Sequence, residues 1–96
     1  MSDPQIKICE HAYARAKERL GLKRAALDRM AVKAFTSGLT HSKTAGRLKR
    51  YLDHLYLEHG KGNNLRIYGR HIYVFQGRHL ITVLHLPKEF FRAAQS

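Results

Sequence analysis

A histidine and two arginines recur at four-residue intervals near the start of the chain, as His11, Arg15 and Arg19. The surrounding alanines and a following glycine predict a helix over residues 8–20. Side chains four residues apart are neighbours on a helix surface. One titratable imidazole and two permanent cations would then converge on one anion. A phosphate fits that grouping, and a polynucleotide is the commonest polyphosphate partner of a basic domain.

The same spacing allows a simpler interpretation of these cations. Arg15 and Arg19 can be solvated and paired with Glu18 or Asp28, and exposed ion pairs of this kind contribute little to stability. Spacing alone does not separate a phosphate site from a solvated helix face.

Hydroxyl and aromatic groups in the second half of the chain are further candidates. Thr82 interrupts an apolar run, where a buried hydroxyl needs a partner, although threonine is also simply a good strand former. Strand alternation would place Thr82 on one face with Leu80. Tyr68 and Tyr73 can stack on bases, or they can be half-buried sheet aromatics with hydrated hydroxyls.

The sequence predicts neither a metal site nor a cofactor. The chain has seven histidines and seven Asp plus Glu residues. No His-x-His or His-Glu-x-x-His pattern appears, and the carboxylates form no cluster. The single cysteine, Cys9, excludes an intramolecular disulfide and any Cys-rich zinc module, and we expect it to be a small half-buried apolar residue. Metal-free RNA cleavage needs only an acid, a base and cations, which histidine and arginine can supply.

Net charge is the strongest signal of composition. Eighteen Lys plus Arg against seven Asp plus Glu give +11 and a pI of about 10.3. A folded basic domain of this kind meets nucleic acid, a membrane surface or an acidic protein. No apolar run is long enough to span a bilayer or typical of a signal peptide, so we expect a cytoplasmic protein without a membrane partner.

The periodicity of apolar residues predicts one α+β domain over residues 1–96. Residues 1–7 are expected to be loosely ordered, and helices over 8–20, 24–37 and 44–58 make residues 8–58 a helical half. A turn-rich segment over residues 59–64 follows, and its Gly-Lys-Gly lacks the spacing of a P-loop. Residues 64–86 then read as an antiparallel meander of three to four strands, and residues 88–94 as a short terminal helix. We expect one sheet face to pack on the helices and the other to stay open.

The order of these motifs resembles a family. His11-Ala-x-x-Arg15-x-x-x-Arg19-x-Gly21, a helical region and a meander ending in Leu80-Ile-Thr82-Val resemble small uncharacterised phage and prophage proteins. Those proteins are related to the barnase–EndoU–colicin–RelE-like superfamily of metal-independent ribonucleases and toxins. The resemblance covers roughly residues 8–91.

This resemblance implies an RNA-directed protein of phage origin, acting as a metal-independent endoribonuclease in the host cytosol. It implies that His11 is the general acid or base, that Arg15 and Arg19 hold the scissile phosphate, and that Thr82 orients the phosphate or His11. The superfamily sheet has four strands, whereas only three are evident here. Two alternatives stay open, a non-catalytic nucleic-acid-binding module and a factor that binds an acidic host protein, in either case as a monomer or homodimer. The residues expected to contact RNA are Lys7, Lys61, Arg66, Tyr68, Arg70, Tyr73 and Arg78.

Overall fold

The computed structural model describes residues 5–59 and 64–94, with the side chain of His59 excluded. The helices are α1 (Glu10–Leu20), α2 (Arg24–Ser37), α3 (Gly46–His59) and α4 (Phe91–Ala94), and single 3-10 turns span His41–Lys43 and Lys88–Phe90. The strands are β1 (Lys7–Ile8), β2 (Leu39–Thr40), β3 (Asn64–Tyr68), β4 (His71–Gln76) and β5 (His79–His85).

The helices begin and end close to where the apolar pattern places them. α2 has the predicted bounds, and α1 ends at the predicted Gly21, which adopts φ 67° and donates its N–H to carbonyls of the last turn. Such a left-handed residue is favoured by glycine because it has no Cβ. Thr44, the predicted first residue of α3, lies before the helix. Its hydroxyl donates to the carbonyl of His41, and α3 begins at Gly46.

The sheet has five strands in the order β1-β5-β4-β3-β2. β3, β4 and β5 form the predicted antiparallel meander, whereas β1 pairs in parallel with β5 and β2 pairs with β3 at the other edge. The predicted order, in which three N-terminal helices precede every strand, is therefore wrong, because β1 precedes α1 and β2 lies between α2 and α3. Lys7, expected in a loose segment, is paired with His79.

Helices cover both faces of the sheet. α1 and α2 pack on one face, where the core includes Ala16, Leu27, Tyr73 and Phe75. α3 and the C-terminal turn pack on the other face, where the buried residues are Leu48, Leu52, Leu55, Leu65, Ile67, Ile72, Val74, Leu86 and Phe90. The α+β class is confirmed, but the expected open sheet face is not found. A site on the sheet itself must lie at one of its ends or edges, because helices cover both faces.

A bulge in β5 decides which side chains share a face. Val74 pairs with Thr82 and Phe75 with Leu80, so Ile81 is an extra residue in the ladder. A bulge of this kind reverses the alternation of side chains along a strand. Thr82 therefore lies on the opposite face from Leu80, where strand alternation without a bulge would have placed both together.

No helix in residues 5–59 and 64–94 is long and apolar enough to cross a membrane.

Candidate nucleic-acid interface

His11 and Arg15 meet on the surface of α1. The guanidinium Nε of Arg15 donates to Nε2 of His11 across 3.4 Å, and Nη1 of the same arginine lies 3.4 Å from a carboxylate oxygen of Glu18. Because arginine only donates, Nε2 of His11 is the acceptor and the proton of the neutral ring is on Nδ1. Arg15 therefore lies beside His11, as the spacing predicts, and it also pairs with Glu18, as the simpler interpretation predicts.

Arg19, the third member of the spacing, takes part through its main chain. Nε2 of His85 lies 2.8 Å from the carbonyl oxygen of Arg19, and the Arg19 residue itself is exposed. This contact joins the C-terminal end of α1 to the end of β5. The guanidinium of Arg19 has no carboxylate partner within the described residues.

Thr82 does not join this group. It is 6% exposed and pairs directly with Val74, which belongs to the core under α3. Directly opposed residues of an antiparallel pair point to the same face. Since α1 packs on the other face, the sheet itself separates Thr82 from His11, and Thr82 cannot orient that imidazole.

A row of polar residues crosses the sheet under the end of α1. Tyr68, His71 and His85 are directly paired across β3, β4 and β5, and the two imidazole rings lie 5.8 Å apart between centroids. Burial, followed by the nearby charge of His85, lowers the pKa of His71 below its ordinary value. The Nδ1 atom of His71 is buried with no hydrogen-bond partner among the described residues. A neutral His71 is therefore favoured.

Tyr73 is fully buried on the same face. Its ring offers no surface on which a base could stack, which removes it from the residues expected to contact RNA. Its hydroxyl has no partner among the described residues, and burial raises the pKa of that hydroxyl to about 12. Tyr73 is therefore a core residue whose hydroxyl is buried without a hydrogen bond to any described residue.

The other residues expected to contact RNA lie apart from one another. Arg66 is committed to the protein, since it donates to the side chain of Asn64 and to the carbonyl of Phe35. Lys7 and Arg78 lie together at the end of the sheet remote from the β3–β4 turn, where the Lys7 N–H donates to the Arg78 carbonyl. Lys61 lies outside the described residues.

Tyr68 and Arg70 share a groove at the β3–β4 turn. The groove has a volume of about 550 Å³ and runs between that turn, the start of β2 and α4. Sequence reasoning missed two of its residues, Lys43 and Phe91, because they come from a 3-10 turn and a terminal helix far from the turn in sequence. The complete lining is Ser37, Gly38, Leu39, Lys43, Ile67, Tyr68, Gly69, Arg70, Phe91 and Ala94.

Five carboxylates of the described residues have partners of their own. Glu10 pairs with Arg24, and Asp53 lies 2.6 Å from Nε2 of His41. Asp28 accepts from the hydroxyl of Tyr13, while Glu18 and Glu89 accept from arginines. These pairs engage few of the cations. The charge surplus of the chain is consequently displayed at its surface and is not neutralised internally.

No group of three or more His, Cys, Asp or Glu side chains in the described part of the chain is arranged to hold a metal ion. Cys9 is an exposed free thiol, not the half-buried residue expected, and it donates to the carbonyl of Ile81 across 3.3 Å. Comparison of the chain with protein-family models, curated proteins and solved structures gave no match.

Proposed function

We propose that this protein is RNA-directed and binds the phosphate backbone through its basic surface. One observation supports the proposal above the others: five carboxylates of the described residues are engaged in local pairs, while the chain keeps a net charge of +11. Lysines and arginines without carboxylate partners attract a polyanion, and each phosphate they neutralise releases counterions.

The position of the cations favours an extended ligand over a small one. Arg70 and Lys43 lie at one end of the sheet, and Lys7 and Arg78 lie at the other. A small anion would occupy one of these places, whereas a polynucleotide can follow the surface between them. This distribution supports RNA or another nucleic acid over a mononucleotide.

Binding is tested by titrating the protein into fluorescently labelled RNA and measuring anisotropy at several salt concentrations. We expect saturable binding that weakens as salt rises, because counterion release drives it. An absence of binding at low salt would contradict the proposal. A stable complex with one acidic protein, formed in place of RNA binding, would support the alternative of a factor acting on a host protein.

Metal-independent RNA cleavage is a second candidate function, supported by the contact between His11 and Arg15. His11 is exposed on α1 and its Nδ1 makes no hydrogen bond among the described residues. In this reaction a base takes the proton of the ribose 2′-OH and that oxygen attacks phosphorus. The 5′-oxygen leaves and takes up a proton, giving a 2′,3′-cyclic phosphate. His11 can serve as base or acid, and Arg15 can balance charge on the phosphorane.

Cleavage is tested by incubating total RNA with the protein in EDTA. His11→Ala is compared with His54→Ala, which removes another exposed histidine from α3, away from α1. The candidate predicts cyclic phosphate ends with wild type and with His54→Ala, but none with His11→Ala. Cleavage that survives His11→Ala would exclude the role of His11, and no cleavage with wild type would leave RNA binding as the function. Descent from the ribonuclease superfamily stays a prediction.

A further inference from the structure

The groove beside the β3–β4 turn combines an aromatic wall with two cations. Phe91 supplies the aromatic surface, and Lys43 and Arg70 supply the charge. No carboxylate appears among its lining residues. A groove with flat apolar surface and positive charge matches one nucleotide, since a nucleotide combines an aromatic base with a phosphate.

Arg70 is placed in this groove by an unusual backbone. It is the one non-glycine residue with positive φ, 68°, in the described part of the chain, and it follows Gly69 at φ 57°. Two successive left-handed residues form the tight turn that suits a two-residue hairpin loop, but arginine is rarely found there. The carbonyl of Arg70 also accepts the Leu86 N–H across 3.2 Å. The turn thus fixes the backbone position from which the Arg70 side chain extends.

The side chain of Arg70 is positioned as well. Its guanidinium carbon lies 4.8 Å from the centroid of the Phe91 ring, and no carboxylate within residues 5–59 or 64–94 pairs with it. A guanidinium stacked on one ring keeps its edge donors and its second face. Because the stack is already formed, little conformational entropy remains to be lost when a ligand binds.

We propose that this groove is a subsite for one unpaired nucleotide of single-stranded RNA. The base lies against the Phe91 surface and the Arg70 guanidinium, and a neighbouring phosphate accepts hydrogen bonds from Lys43 and Arg70. A base in a duplex is already stacked and paired, so it cannot enter without unpairing. The subsite therefore makes the protein selective for single strands. This inference rests on the proposed RNA binding and adds the conformation of the ligand to it.

The test compares two double variants of equal charge. Arg70→Ala with Lys43→Ala empties the groove of cations, and Arg29→Ala with Lys49→Ala removes the same charge from exposed helix positions outside it. Alanine at position 70 needs the same left-handed backbone as arginine, so the turn is not strained further. Circular dichroism melting confirms that each variant folds, and a third variant, Phe91→Leu, keeps the charge and apolar bulk but removes the ring.

Affinities are measured for one single-stranded RNA oligonucleotide and for the same oligonucleotide annealed to its complement. We expect wild type to prefer the single strand, and the groove double variant to lose about tenfold in affinity for it. Phe91→Leu should lose about fivefold, since the stacking surface is gone while the charge is kept. The control double variant should lose much less and keep the preference for the single strand.

Two results would overturn the subsite, and they differ from failure of the proposed function. Equal losses in the groove and control variants would show that charge alone matters, and equal affinity of wild type for single strand and duplex would show that no unpaired base is bound. In both cases RNA binding itself stands. Absence of wild-type RNA binding at low salt would remove the proposed function and the subsite together.

Discussion

His85 binds the main chain of Arg19, with Nε2 of the imidazole 2.8 Å from the carbonyl oxygen. The last carbonyls of a helix have no partner within the helix, so a donor from another element completes them. Here the donor comes from β5, and Nε2 must carry the proton because a carbonyl only accepts. This bond fixes the C-terminal end of α1 above the row formed by Tyr68, His71 and His85. The main chain of α1 thereby helps to position the end of the sheet, a role of Arg19 that is separate from the phosphate contact predicted for its side chain.

Burial of His71 should make the free energy of unfolding depend on pH. The pKa of His71 in the folded protein is lowered from the ordinary value of 6.5, by burial and then by the charge of His85. Below that ordinary value the unfolded chain binds a proton that the folded protein does not, so stability rises with pH. The contribution of neutral His71 to the free energy of unfolding is complete above the ordinary pKa. It declines as the pH falls from the ordinary pKa towards the lowered pKa of the folded protein.

Melting temperatures between neutral pH and pH 5 measure this effect. Wild type should melt at progressively lower temperature as the solution is acidified. His71→Gln, which cannot take up the proton, should show a weaker dependence, and His54→Ala should follow wild type. Identical pH profiles for wild type and His71→Gln would contradict the role of His71.

Removal of the Tyr73 hydroxyl should not weaken the protein. The hydroxyl is buried without a partner among the described residues, and a buried polar group without a hydrogen bond is unfavourable. We expect Tyr73→Phe to leave the free energy of unfolding unchanged or to raise it by up to about 1 kcal/mol. Urea denaturation measures the change. A loss of stability greater than about 1 kcal/mol would show that the hydroxyl has an important partner.

Gly38 is predicted to be intolerant of a side chain. A Cβ at this position would collide with the main-chain carbonyl of Ala34, which lies in α2, and would crowd the carbonyl oxygen of Ile67 at 3.2 Å. These contacts involve backbone, which cannot move aside as a flexible side chain can. Gly38→Ala should therefore cost about 1–3 kcal/mol in a denaturation experiment. Gly46→Ala is the contrasting variant, because nothing lies within 4 Å of its Cβ and only its φ of 62° opposes alanine. An unchanged free energy of unfolding in Gly38→Ala would contradict the collision.

Substitution of Thr82 should leave RNA binding intact. Its side chain faces the core beneath α3, whereas His11 and Arg15 lie on α1 at the opposite face. Thr82→Val keeps the shape of the side chain and removes only the hydroxyl. RNA affinity measured by anisotropy should match wild type, even if stability changes. If Thr82→Val melts at the wild-type temperature but binds RNA more weakly, then the Thr82 hydroxyl does contribute to the RNA site.

Strong local patterns in the sequence were enough to predict most of the fold. The periodic apolar positions of Leu27, Ala31 and Ala34 set α2 correctly, and glycine-bounded runs of β-branched residues set β3, β4 and β5. β1 and β2 have two residues each, too few to show alternation. β1 and β2 form because the backbone edges of β5 and β3 offer them hydrogen bonds. These edges exist only once the sheet has assembled, so a local pattern cannot predict the two strands.

The candidate site was less accessible to sequence reasoning, for two physical reasons. The bulge at Ile81 moves Thr82 to the other face, and a bulge leaves no trace in a pattern of apolar residues. The groove joins Lys43, Arg70 and Phe91, which meet only after the chain has folded. The His11–Arg15 contact was predictable because four-residue spacing within one helix is a local property.

The salt dependence of RNA binding tests the central proposal most directly. Anisotropy titrations of one single-stranded oligonucleotide at a series of potassium chloride concentrations give the slope of log affinity against log salt. We expect a straight line of negative slope, about −0.7 for each phosphate neutralised, and a shallower line for the Arg70→Ala, Lys43→Ala double variant. Binding that is absent at low salt, or that does not change with salt, would contradict an RNA-directed function for this basic surface.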